Sequence, residues 1–199
     1  MTGIAISSAW ASLRQNIYQL GAVNGLLYIL HQLLSRGTSG RIRLVKYLIV
    51  AQPLGQASAT GVRSSGSTVL SDVGIGHAWC SDFPRPPAVI AARFAHGARC
   101  LAAQVKGSFA GYLWWQRDSY NEDEVRCHFV MNEPGVSAWD FDVYVDPKFR
   151  LGRTLALLWT GAEQRMLDDG VRWSFSRISR FNAESMAAHA RLGATKVAE

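Results

Sequence analysis

The stretch DVYVDPKFRLGRTLALLW, residues 142–159, holds the residues best spaced for chemistry. An apolar strand feeds a short loop with Arg150, Gly152 and Arg153, and a helix follows at once. The first amides of a helix have no partner inside it, and the helix dipole adds partial positive charge there. A pyrophosphate suits such a place. Gly152 lets the main chain come close to it. Arg150 and Arg153 can add charge-assisted hydrogen bonds to phosphate oxygens. A plain strand–loop–helix connection with two solvated arginines would use the same residues, because a short glycine loop is a weak signal.

Other reactive groups surround this stretch. Asp140 and Asp142 stand two apart on the strand, so alternation puts them on one face unless a bulge intervenes. Either can take a proton through water or bind a cation, and Glu133 in the preceding turn is a third choice. Trp114 and Trp115 point to opposite faces of their strand. One is expected in the core, and the other can floor a pocket whose aromatic face suits a sugar or a cation. Cys127 next to His128 suggests a thiol–imidazole pair, but successive strand side chains diverge, which argues against a cysteine nucleophile. His77, Cys80 and His96 lack metal-ligand spacing, and Cys80, Cys100 and Cys127 form no CxxC pair. No metal site is expected, and a reducing cytoplasm is the default setting.

The elements that position these groups can be read from periodicity. The chain has 199 residues, 48% hydrophobic and 18% charged, enough for one domain with a core and a small N-terminal addition. The net charge of +6 suits a polyanion: nucleic acid, a membrane surface or a phosphate-rich cofactor. No basic stripe interleaved with exposed aromatics supports nucleic acid. The opening MTGIAISSAWASLRQ lacks a basic region ahead of a long apolar run, so no signal peptide is expected. Residues 20–34 are too short and mixed to span a bilayer. Val23, Leu26, Leu27, Leu30, Leu33 and Leu34 recur there at helical spacing, predicting a helix that packs on the core. Flanked by Arg14, Arg36, Arg41 and Arg43, the same helix also fits a membrane surface.

A β-rich run, residues 42–51, follows, and residues 53–67 read as a flexible Gly/Ser-rich connection. Pro86 and Pro87 open a helix ending near Gly97. Strands 100–105 and 109–116 flank a tight turn at Lys106, Gly107 and Ser108, a hairpin signal. Further strands are expected at 124–131, 139–145 and 173–178, with helices at 154–167 and 182–192 closed by Gly170 and Gly193. Antiparallel strands followed by strand–helix–strand–helix point to a mixed sheet covered by helices, an α+β layout.

Taken in order, these segments resemble the GNAT superfamily of acyl-CoA N-acyltransferases. That family ends a strand with V-x-P and follows it with R/Q-x-x-G-x-G/A and a helix. Val145, Pro147, Arg150 and the helix after them match. Its next motif has a strand, an asparagine opening a helix and a glycine closing it, and Asn182, Ser185 and Gly193 stand in those places. The hairpin CLAAQVKGSFAGYLWW is similar to the family's central hairpin. The resemblance covers residues 85–198. It departs at Arg153, which replaces a glycine now shifted to Gly152, and at Leu155, which replaces a small residue; the loop should be tighter and more basic.

The resemblance implies a GNAT-type mixed, mostly antiparallel central sheet flanked by helices. Residues 1–67 would be an N-terminal extension and residues 68–199 the acyltransferase domain. It gives the backbone of Val143, Tyr144 and Val145 to the pantetheine arm of acetyl-CoA. It gives the main chain of Leu151, Gly152, Arg153, Thr154 and Leu155 to the pyrophosphate, and Asn182 to the pantetheine or nearby backbone. His189 stands where many members have the tyrosine that protonates the leaving thiolate, and histidine can donate near neutral pH. The implied reaction is transfer of an acetyl or other acyl group to a primary amine of a small molecule, such as an amino sugar. A protein lysine or N-terminal amine is an alternative acceptor, and an inactive CoA-binding module an alternative role. Family members usually continue into two more strands, whereas here only a stub, residues 195–198, follows Gly193. The sheet is then completed by the N-terminal region or a partner, or the sequence is truncated; an exposed edge would let two copies dimerise.

Overall fold

The computed structural model describes residues 18, 20–55, 67–122 and 127–199. The readings at residues 1–17, within the connection at 56–66 and at 124–126 lie outside the described residues. In chain order come helix α1 (Ala22–Gly37), strands β1 (Tyr47–Pro53) and β2 (Thr68–Val73), and a 3-10 turn (Ala78–Asp82). Helix α2 (Pro87–Ala95) precedes strands β3 (Arg99–Val105), β4 (Ser108–Arg117), β5 (Ser119–Asn121), β6 (His128–Val130) and β7 (Ser137–Val145). A second 3-10 turn (Pro147–Phe149), helix α3 (Thr154–Asp168), strand β8 (Trp173–Ser179), helix α4 (Ala183–Arg191) and strand β9 (Thr195–Ala198) follow. Seven strands form the mixed, mostly antiparallel sheet, and β5 and β6 form a separate ribbon. The chain divides into two compact units, Ala51–Ser176 and Met1–Val50 with Arg177–Glu199.

In the larger unit the strand order is β2-β3-β4-β7-β8, with β7 and β8 parallel and the other pairs antiparallel. Lys106 and Gly107 both have positive φ, 51° and 82°, the primed turn that matches strand twist. Helix α2 covers one face of the sheet, with Phe94 4.8 Å from Trp114. Helix α3 covers the other, and a Cβ at Gly161 would meet Leu70 at 2.5 Å and Leu101 at 3.0 Å, so glycine lets the helix lie close. Leu101, Leu113, Trp114, Trp115 and Leu158 are fully buried between these layers. Strand β2 escaped the sequence reading because Ser71 and Asp72 interrupt its apolar pattern, although all six of its residues pair with β3.

In the smaller unit β1 stands between β8 and β9. Here Arg180 N donates to the Lys46 carbonyl at 2.9 Å, and within the larger unit Leu54 N donates to the Arg172 carbonyl at 2.9 Å. The place beside β8 is thus filled from the N-terminal side of the chain. Leu48, Val50 and Ile178 are buried together, with Met186 and Ala194 against them. Helix α1 forms as expected but turns differently. Tyr28 and His31 stack near Phe181, at 5.5 and 5.8 Å, while Val23, Leu26, Leu30 and Leu33 face solvent. The expected stripe divides: Leu27 and Leu34 are half-buried, whereas Val23, Leu26, Leu30 and Leu33 are exposed.

Candidate functional site

Strand β7 has two unlike edges. On one side β4 pairs with it along its length, from Gly111–Val145 to Arg117–Ala138. On the other, β8 pairs only at Ser137–Trp173, Ala138–Ser174 and Trp139–Phe175. Beyond Trp139, β7 has no strand partner on that side among the described residues. Where the ladder stops, Asp140 is buried, and its Oδ2 accepts from the Ser174 hydroxyl at 2.7 Å and the Ser176 hydroxyl at 2.6 Å.

Two residues on, β7 bulges. Leu113 pairs with Val143 and Trp114 with Phe141, leaving Asp142 as an extra residue with φ 49°. Such left-handed backbone costs a non-glycine residue roughly 1–2 kcal/mol. Its carboxylate is held from three sides. Arg85 donates from Nε at 2.8 Å and Nη2 at 2.6 Å, Arg93 from Nη1 at 2.6 Å, and the Tyr112 hydroxyl at 3.1 Å. Burial, then the charge of Asp142, pushes the Tyr112 hydroxyl up, so it stays protonated and donates. Burial works against the Arg85 charge, but the hydrogen bond and charge of Asp142 outweigh it and raise that guanidinium further. Strict alternation had placed Asp140 and Asp142 on one face; the bulge separates them, giving one to the β8 serines and the other to the arginines.

The strand then leads into the loop singled out from sequence. Asp146 accepts from Lys148 N at 2.9 Å and starts the 3-10 turn, and Gly152 N donates to the Phe149 carbonyl at 3.1 Å. Helix α3 opens at Thr154 with no side-chain cap, its first bond running from Leu157 N to the Arg153 carbonyl at 2.9 Å. Leu151, Gly152, Arg153 and Leu155 are exposed, whereas Thr154 is buried. Exposed Arg150 folds back, its Nε donating to the Val145 carbonyl at 3.0 Å. A Cβ at Gly152 would meet only the Phe149 carbonyl, at 3.3 Å, so internal packing makes little demand for glycine there.

Asn182 and His189 belong to the smaller unit, and the remaining candidates to the larger. Asn182 caps α4, its Oδ1 accepting from Ser185 N at 2.9 Å. His189 Nδ1 is 2.9 Å from the Ser185 carbonyl and donates to it. In that tautomer the neutral ring carries a lone pair on Nε2, and Nε2 donates only as imidazolium. His128 reaches the Asn121 side-chain oxygen at 2.7 Å, a cross-strand contact. Glu133 is exposed in its turn.

Beside Asp142 lies a cavity of about 270 Å³ lined in part by Val89, Arg93, His96, Gln116, Tyr120 and Phe141. The Arg93 guanidinium sits 5.3 Å from the Trp114 ring and 5.2 Å from the Phe141 ring, two cation–π contacts at its wall. Both Trp114 and Trp115 are fully buried, so Phe141 and Tyr120 supply the aromatic surface instead. Arg85, Arg93 and Tyr112 escaped the sequence reading because each is distant from Asp142 along the chain. A signal existed: Arg93 follows Ile90 by three on the inward side of α2, where an unpaired cation would be costly.

No protein-family model and no curated protein matches the sequence. Among solved structures, a tandem GNAT protein from the clavulanic acid biosynthesis pathway, solved without AcCoA, superimposes with a TM-score of 0.55 at 16% identity. This is the GNAT fold. The match covers 81% of the present chain and 54% of the tandem protein, so the chain spans about half the length of that relative. The GNAT proteins also matched include AAC(6')-Iy in complex with the bisubstrate analogue CoA-S-monomethyl-acetylneamine, at TM-score 0.47 and 18% identity over 63% of this chain and 89% of that one. An aminoglycoside acetyltransferase from an uncultured soil metagenomic sample, in complex with trehalose, matches at TM-score 0.46 and 10% identity, over 64% and 88%.

Proposed function

We propose that this chain is a GNAT acyltransferase that moves an acetyl group from acetyl-CoA to a primary amine of a small molecule. The observation that carries the reading is the open edge of β7 leading into an uncapped, exposed helix start. An extended thioester arm can join that edge as an added strand, through main-chain groups of Val143, Tyr144 and Val145. Its diphosphate then meets the amides of Leu151, Arg153, Thr154 and Leu155, and that of Gly152 if it leaves the Phe149 carbonyl, with the Arg150 and Arg153 side chains beside it.

The thioester supplies an activated acyl carbon, and the residues of the chain orient it and move protons. As the amine nitrogen bonds that carbon and the C–S bond breaks, the nitrogen must shed a proton and the sulfur must gain one. From the resemblance alone, His189 is proposed as the proton donor to sulfur. Asp140 is the proposed acceptor, reached through the Ser174 or Ser176 hydroxyl. Asp142, already accepting from two guanidinium groups and a phenol, is assigned to holding the bulge, a positioning role. The cavity beside it offers aromatic Tyr120 and Phe141 with polar Gln116, a lining that suits an amino sugar. A reducing cytoplasm suits the three free cysteines. Strand β9, exposed at all four residues, is the edge through which two copies would pair.

Calorimetric titration with acetyl-CoA, followed by thiol release over amino sugars, polyamines, amino acids and lysine peptides, tests this reading. Saturable binding is expected, weakened about tenfold to a hundredfold in Arg150→Ala/Arg153→Ala, together with release by a small amine. Release with peptides alone would assign a protein acceptor. Binding without release would leave a CoA-binding module, and no binding would end the proposal.

A further inference from the structure

The charge of this chain is concentrated at one end. Six Lys and Arg and no Asp or Glu precede Asp72; from there on 15 cations meet 15 carboxylates, so the net +6 resides entirely in residues 1–71. Within that acid-free stretch lies α1, and its apolar stripe faces out. Val23, Leu26, Leu30 and Leu33 are 67%, 62%, 45% and 64% exposed, at the three- and four-residue steps that align side chains along a helix. The opposite side carries half-buried Leu27 and Leu34 together with Asn24, bonded by Lys46 Nζ at 3.2 Å, and Tyr28 and His31 beside Phe181. A helix resting on its own protein normally covers its apolar side chains, yet four of this stripe stay open to solvent.

The segment after α1 continues the pattern. Arg36, Arg41 and Arg43 are exposed, and between them and β1 Ile42 and Val45 are 53% and 42% exposed. Two bonds tie this segment to the helix: Ile42 N donates to the Thr38 hydroxyl at 2.9 Å, and His31 Nδ1 to the Leu44 carbonyl at 2.7 Å.

We propose that α1 and residues 41–45 form a docking surface for an anionic lipid bilayer. The leucines enter the boundary between headgroups and acyl chains, and the arginines meet lipid phosphates. Charge selects lipid over a second copy, which would bring an identical acid-free, positive stretch against this one. At 16 residues, α1 lies along the surface; among the described residues no helix is long and apolar enough to cross a membrane.

Co-sedimentation of the full chain with sucrose-loaded vesicles tests the proposal, comparing pure phosphatidylcholine with an equal mixture of phosphatidylcholine and phosphatidylglycerol. The chain should pellet with the anionic vesicles, less so as salt rises, and remain in solution with the neutral ones. Leu26→Ser/Leu30→Ser should lower the partition by about tenfold or more. Arg36→Gln/Arg41→Gln should lower it by about twentyfold. All four side chains are exposed, so both variants should keep the parent melting temperature. Absence of binding to either vesicle, or equal binding to both, would overturn the assignment. So would a dimer in light scattering that the leucine variant dissociates, since the stripe would then belong to a second copy.

Discussion

In the larger unit Leu101, Leu113, Trp114, Trp115 and Leu158 are shut off from water between two helical layers, whereas in the smaller unit the buried cluster is Leu48, Val50 and Ile178. The charges differ as well. The smaller unit has nine Lys and Arg against two Glu, and the larger twelve against thirteen Asp and Glu. Both are strands covered by helices, so secondary structure alone does not set depth of burial. Depth follows from having helices on both faces and large side chains between them. A unit with a thin core opens at lower free energy, and its surface is available for other uses.

The sharpest way to break this contrast is to remove equal side chains from each unit. Leu158→Ala in α3 should cost about 3–4 kcal/mol, because the fully buried site cannot collapse around the lost methyls. Leu30→Ala in α1 removes the same atoms from a half-exposed position and should cost under about 0.5 kcal/mol. Urea unfolding of both variants decides; similar losses would mean α1 is covered in solution.

Next in size is the ion cluster of the larger unit. Asp142→Ala leaves Arg93 buried without its carboxylate and should cost about 3 kcal/mol. Asp142→Asn keeps a side chain that tolerates left-handed backbone and should cost less. If both variants unfold at the parent urea midpoint, the bulge does not depend on that charge.

The smaller unit relies on local bonds. Asn182→Ala removes the cap of α4 and should cost about 1 kcal/mol, read as faster hydrogen exchange in residues 183–191. Unchanged exchange there would show that packing of Met186, not the cap, holds the helix.

Elements with strong punctuation were legible in the sequence. The hairpin turn at Lys106 and Gly107, the helix between Arg153 and Gly170 and the asparagine opening α4 all follow from local chemistry that tertiary contacts did not override. The loop leading to an uncapped helix start at Thr154 was legible for the same reason. What local reading missed was partnership across the chain. Periodicity announced an apolar stripe on α1 but could not say whether anything covers it. Alternation paired Asp140 with Asp142 until one inserted residue turned the second toward Arg85, some 57 positions earlier. The place of β1 beside β8 depends on a pairing between opposite ends of the chain, which no spacing encodes.

The smallest expected effect tests whether ion pairs near the end of the chain matter to the smaller unit. Hydrogen bonds from Lys196 and then Lys46 pull the Glu199 carboxyl down from about 4.5 to about 2, and Arg180 adds its charge at 3.1 Å. The folded value lies below the unfolded one, so the contribution is fully present above pH about 4.5 and is lost as pH falls through about 2. Glu199→Gln should therefore be slightly less stable than the parent at neutral pH, with the gap closing across that acid window. Exposed pairs are weak and screened, so added salt should shrink the gap at neutral pH too. A gap that instead widened on acidification would mean these cations stabilise the fold through some other acceptor, and the smaller unit would then owe less to its terminal residue than its hydrogen bonds suggest.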